Sequence, residues 1–260
     1  MEDEINKMTY LIFIWAYFSM IFIIASFKKR NDMLDIAWGL GFVLIAWASF
    51  FRGNHALIAA LANGLVTFWG LRLFSHILKR YHSKGEDPRY AAFRSSWKSA
   101  FLIRAYVQLF LSQALFMGLI ALPILLLNHT SFIHFNGFVG LGFLISIFGL
   151  CYEGIADAQL KSFLASPQNR GRVMKQGLWR YSRHPNYFGE IVFWWGLALS
   201  AFSAGAGIWV WISPITITLL IIFVSGIPLL EKRYQGRPEF EAYKKETSMI
   251  VPLFKKVNRS

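Results

Sequence analysis

The sequence predicts an all-α, polytopic membrane protein: a bundle of seven transmembrane helices forming a single integral membrane domain over residues 1–260. Three observations predict it. Hydrophobic residues occupy 55% of the 260 positions and mean hydropathy is positive, at +0.42, more than a soluble globule can hide. Charged residues are only 16% of the chain and gather between long uncharged stretches such as Leu11–Phe27 and Leu109–Leu127, each close to the length that crosses a bilayer. Finally, the basic excess falls in alternate connections: 27 Lys+Arg stand against 14 Asp+Glu, a net charge of +13. Loops on one side of a membrane explain that excess without a nucleic-acid partner. The same composition excludes intrinsic disorder and disulfide-stapled folds. The one cysteine, Cys151, lies in an apolar stretch and is expected to be a small buried side chain.

A helix needs about 20 apolar residues to cross a hydrocarbon core about 30 Å thick. The predicted spans are residues 8–27, 34–52, 56–78, 101–127, 137–156, 187–203 and 208–230. The first is expected to stay as an anchor, because acidic Glu2–Glu4 precede it and Lys28–Arg30 follow it, the reverse of a cleaved signal. Positive charge concentrates at Lys28–Arg30, in the 79–100 loop (including Lys84), in the 157–186 loop and in the 231–260 tail (including Lys255 and Lys256). The connections near Asn54, Asn128–Asn136 and Gly205 carry almost none. This alternation places the N-terminus outside and the C-terminus in the cytoplasm, in the inner membrane if the host is bacterial.

Ionisable groups in or beside such spans are informative, since a central charge costs roughly 2.5–3.5 kcal/mol on insertion scales. Asp35 opens the second span and is either a site acid or a carboxylate near a helix start. Trp69, Arg72 and His76 share one face of the third span, so Arg72 and His76 either face a phosphate or carbonyl or reach out to the membrane surface. Glu153, Asp157 and Lys161 form a polar stripe where the fifth span ends. The densest signal is Gly177–Glu190, which contains Arg180, Tyr181, Arg183, His184, Pro185, Asn186 and Tyr187. Pro185 suits a helix's first turn, so the next span starts among three cationic groups, an arrangement favourable to an anion. Asn186 and Glu190 share a helical face and can hydrogen-bond a ribose or an amide. Phe240 and Tyr243 mark a short amphipathic helix on the cytoplasmic surface, after Glu231 and Arg233 at the end of the last span. The chain has no glycine-rich dinucleotide or phosphate loop and no spaced metal-ligand set.

The Gly177–Glu190 segment, preceded by Tyr152–Gln159 and followed by Glu231–Tyr243, resembles bacterial membrane proteins carrying the steroid 5-alpha-reductase C-terminal domain, most strongly from about residue 150 onward. Isoprenylcysteine carboxyl methyltransferases and phospholipid N-methyltransferases have a similar Arg-His-Pro motif and a similar tail. The reductase resemblance implies an enzyme that binds NADPH in a cytoplasmic cavity and transfers hydride to the C=C bond of an enone in a hydrophobic, steroid-like or isoprenoid substrate arriving from the surrounding lipid. It places Asp157, Tyr181, Asn186 and Glu190 at the cofactor, with Glu231, Arg233 and Tyr234 closing the cavity. By charge, Arg72, Arg180, Arg183 and His184 fit the phosphates, and Tyr187 lies beside them. The family's substrate-activating acid and tyrosine come from early helices, and Asp35 and His76 are proposed there on chemistry. The methyltransferase resemblance implies S-adenosylmethionine and a lipid or prenylated substrate instead.

Overall fold

The computed structural model describes residues 2–83 and 85–254, with side chains from Met8 except at Ser83. The charged side chains of Glu2–Glu4, Lys84, Lys255 and Lys256 lie outside the described residues. The described chain is helical, with only a single parallel bridge, Ser182 to Ser248, outside the helices and turns. Seven helices are long and apolar enough to cross a membrane, and the chain is an integral membrane protein. Large apolar side chains such as Ile103 (75% exposed) and Phe68 (74%) point outward, a surface suited to lipid tails rather than water.

The helices are α1 (Glu2–Lys28), α2 (Met33–Phe50), α3 (Leu57–Ser83), α4 (Pro88–Ile120), α5 (Leu122–His129), α6 (Gly137–Ala165), α7 (Pro185–Ala206), α8 (Ile208–Tyr234) and α9 (Pro238–Glu246). The largest departure from the sequence reading is α4. It begins 13 residues before the expected 101, because Asp87 accepts a hydrogen bond from Arg89 N and Pro88 occupies the first turn. The helix changes direction at Lys98, whose φ is +44°, and continues through a π-helical turn at Ala105–Leu111. It stops at Ala121, and α5 restarts with Pro123 in its first turn, so the expected 101–127 span is two helices. At the other connections, α3 and α6 run on through residues read as loop.

The chain divides into two compact units: Met1–Phe135 with Ala201–Ile212, and Asn136–Ser200 with Ser213–Ser260. In the first, α2 and α3 cross at Gly39 and Gly70, where a β-carbon on either residue would fall onto the other's carbonyl oxygen. A fully buried polar network ties α2, α3 and α5 together: Asn63 Nδ2 donates to Asn128 Oδ1 (2.9 Å), and Asn128 Nδ2 donates to Ser49 Oγ (2.6 Å). Each donor is satisfied, so the amides hold the helices without an unpaired polar atom in an apolar surround.

In the second unit, α6 and α7 meet along small residues. A β-carbon at Gly149 would strike the backbone of Gly189 and Phe193, and one at Gly189 would lie 2.5 Å from Glu153 N and 2.7 Å from Gly149 O. This close crossing fixes the height of Asn186 and Glu190 on α7 relative to Glu153 and Asp157 on α6. Gly189→Ala is therefore expected to push the helices apart and destabilise the unit by about 1–3 kcal/mol, measured as a lower midpoint of thermal unfolding in detergent. An unchanged midpoint would contradict the packing described. Cys151, expected to be buried, is exposed, because Gly149 and Glu153 occupy the inward face of α6.

Candidate functional site

The second unit gathers the Gly177–Glu190 segment, the end of α8 and the α9 helix around one hollow. Gly177 adopts φ +58°, a backbone conformation that glycine takes at little cost, and a side chain there would run into Gln159. Gln159 Oε1 accepts from Leu178 N at 2.9 Å, and Trp179 Nε1 donates to Ala156 O at 3.1 Å. These bonds hold the turn Gly177–Arg180 on the last part of α6. Beyond it, residues 243–253 act as a strap. Arg183 N donates to Ser248 O at 2.8 Å and Leu253 N to Tyr181 O at 3.0 Å. Tyr243 Oη donates to Trp179 O and, at 3.2 Å, to Ser182 O. Burial pushes the Tyr243 phenol above its ordinary pKa, so it keeps the proton these bonds use.

Phe240 and Tyr243 are 5% and 3% exposed, so α9 lays its apolar face on the protein rather than on a bilayer. This differs from the surface helix expected from sequence. The cause is the row of carbonyls at Trp179–Ser182, which the Tyr243 hydroxyl satisfies.

Glu231 is the hub. Its Oε1 accepts from Arg183 Nε at 2.8 Å and lies 3.1 Å from His184 Nε2, and its Oε2 is 3.5 Å from Lys244 Nζ. Arg183 also donates from Nη1 to Thr247 O (2.7 Å) and Lys244 O (3.2 Å). Arg183 and His184, expected from sequence to face phosphates, are thus buried and turned onto Glu231, while Arg180 and Arg233 are exposed. The His184 ring stacks on Tyr187, with centroids 5.6 Å apart.

A cavity of about 140 Å³ opens against this cluster, with Arg172, Asn186, Glu231, Tyr234, Phe240 and Tyr243 among its walls. Asn186 Oδ1 is buried and accepts no hydrogen bond from any described residue. A buried carbonyl oxygen left this way costs about 1–3 kcal/mol, and a ligand amide or amine that donates to it recovers that cost. Glu153 is buried, Asp157, Tyr181, Tyr187 and Glu190 are half-buried, and Lys161 is exposed.

The first unit assembles a second polar cluster where α1, α2, α3 and α4 begin or end. Asp35 Oδ1 accepts from Tyr90 Oη at 2.7 Å, and its Oδ2 accepts from Arg89 Nη2 at 2.8 Å and Arg80 Nη2 at 3.5 Å. Asp32 holds Arg30 through two bonds of 2.9 and 2.7 Å, which raise the pKa of that guanidinium further. Glu86 Oε1 takes Asn31 N and Arg94. Asp35 is therefore joined to a tyrosine that the sequence reading left inside a loop. The signal that marks Tyr90 is Asp87-Pro88, a helix start two residues earlier. Arg72 is half-buried on α3 with Nε and Nη2 enclosed, whereas His76 is exposed.

Comparison with known proteins agrees with a membrane protein of this kind. A stretch 35% identical over 66 residues occurs in "Probable O-methyltransferase ustE" of Ustilaginoidea virens, covering 25% of this chain and 23% of that protein. The chain thus spans about a quarter of the length of that relative. The family described as "Protein of unknown function (DUF1295)" matches residues 21–247, almost the whole membrane-spanning region, and the chain belongs to that family.

Proposed function

We propose that the protein is a membrane-embedded, NADPH-dependent reductase acting on the C=C bond of an enone in a hydrophobic substrate. The observation that carries this reading is Asn186: a buried acceptor with no partner among the described residues, on the wall of a largely apolar cavity that also carries Arg172, Glu231 and Tyr234. A nicotinamide carboxamide carries the N–H donor it lacks. The cavity is about 140 Å³, roughly five times the volume water takes per molecule in the liquid. That is room for one ring, so the rest of a dinucleotide lies beyond it. When bound, NADPH supplies the hydride that adds to the β carbon. Asn186 holds the ring's amide, and Glu231 keeps Arg183 and His184 fixed behind it. Arg172, exposed on the cavity's wall, offers charge-assisted bonds to phosphate. The enolate that hydride addition leaves takes its proton from solvent, which balances the reduction.

The test is oxidation of NADPH by purified protein with an enone lipid. Asn186→Leu, close in volume but without the amide, is expected to weaken NADPH binding about tenfold or more, the loss of one buried hydrogen bond, at unchanged thermal stability. Equal binding by the variant would remove Asn186 from the site. A second reading, an S-adenosylmethionine-dependent methyltransferase, is favoured by the name of the relative from Ustilaginoidea virens and by the aromatic faces of Phe240 and Tyr243 near Glu231, which suit a sulfonium. Saturable S-adenosylmethionine binding without NADPH binding would decide for it.

A further inference from the structure

At the end of α1 opposite Lys28, the first unit carries a larger cavity, about 540 Å³, lined by α1, α4, α5 and the Ala206–Trp209 turn. Its walls are apolar, Ile14, Gly118, Leu122 and Leu126 among them, except at one end, where Tyr10, His129 and Thr130 stand. Tyr10 is 5% exposed, and its Oη lies 2.7 Å from His129 Nε2. Thr130 Oγ1 donates to Leu126 O at 2.8 Å, so its hydrogen is committed to its own helix. Gly118 leaves the wall open: a β-carbon there meets only Ile14 Cδ1, at 3.8 Å. The cavity has the size and the largely apolar lining of a small-molecule site. It stands about 27 Å along α1 from Lys28, at the other end of the unit from Asp35 and Tyr90.

The Tyr10–His129 pair defines what the polar end can take. One hydrogen sits between the two rings. If the phenol donates it, Oη keeps a lone pair for a donor. If the imidazole donates, the phenol's own hydrogen is available to an acceptor. An alcohol meets either arrangement without bringing a charge among the apolar walls, whereas a carboxylate meets only the second, and a carboxylate or an ammonium would carry its charge into them. We propose that this cavity binds a neutral lipid alcohol, with its hydroxyl on Tyr10 and His129 and its apolar body along α1 and α5. This site is distinct from the one proposed for the nucleotide.

The experiment uses the full chain in phosphatidylcholine nanodiscs and three photoactivatable diazirine probes of equal length: a hexadecanol, a hexadecane and a palmitate. Labelled peptides are mapped by mass spectrometry. The alcohol is expected to label the segments around Tyr10–Ile14 and Ala114–Thr130 saturably, in competition with unlabelled hexadecanol, and several times more than the alkane does. Tyr10→Phe is expected to lower alcohol labelling about two- to tenfold, the worth of one hydrogen bond, leaving alkane labelling unchanged. Gly118→Leu should lower both. Equal labelling by alcohol and alkane in the unaltered protein, stronger labelling by palmitate, or no effect of Tyr10→Phe in a protein of unchanged stability would each overturn the proposal. The comparison of probes on the unaltered chain decides the matter even if a variant fails to fold.

Discussion

Glu231→Ala is expected to destabilise the second unit by about 3 kcal/mol and to abolish nucleotide binding. Removing one partner of an enclosed ion pair leaves the other uncompensated, and such losses run to about 3–5 kcal/mol. The side chains of Arg183 and Glu231 are only 7% and 13% exposed, so water screens the remaining guanidinium poorly. The carbonyls of Thr247 and Lys244 still accept from Arg183, which sets the effect at the lower end of the range. His184 loses the same acceptor, and the wall of the cavity behind Asn186 loosens. A double variant, Arg183→Met with Glu231→Leu, removes both charges together and should recover most of the stability without recovering binding. Unfolding midpoints of the unaltered protein, Arg183→Met, Glu231→Leu and the double variant in one detergent give the coupling directly. Additive single effects would mean that the pair does not organise the unit.

Tyr90→Phe is expected to destabilise the first unit by about 1–3 kcal/mol, the cost of leaving Asp35 Oδ1 without the hydroxyl that donates to it. The ring stays in place and only the hydroxyl is lost. Asp35→Ala should destabilise the unit more, because Arg89 and Tyr90 both lose the oxygens they hold at 2.8 and 2.7 Å. Unfolding midpoints of the two variants in one detergent rank the effects. A midpoint unchanged in both variants would mean that Asp35 and Tyr90 do not clasp α2 to α4.

The helical membrane architecture was legible because it depends on composition and run length, which need no partner. Helix ends were less so. Asp87 and Pro88 begin α4 inside a segment whose basic residues look like a loop, and the carboxylate that takes up Arg89 beside Asp87 is Asp35, 54 residues earlier. The Gly177–Glu190 segment stood out for its unusual residue types beside a span, yet the roles within it depend on contacts across 48 and 64 residues, as in the Arg183–Glu231 and Arg183–Thr247 bonds. Arg183 and Arg180 look equivalent as cations in sequence. Burial distinguishes them, turning one inward as a brace and leaving the other on the surface. Tyr243, read as an apolar point on a surface helix, is a hydrogen-bond donor to the turn it covers.

The central claim is that the hollow beside Asn186 and Glu231 receives a nucleotide, and equilibrium titration of the purified full chain with NADPH, read by ligand fluorescence, tests it most directly. Saturable binding that weakens about tenfold in Asn186→Leu and disappears in Glu231→Ala is the expected result. Fluorescence that never saturates, or that saturates alike in all three proteins, would contradict it.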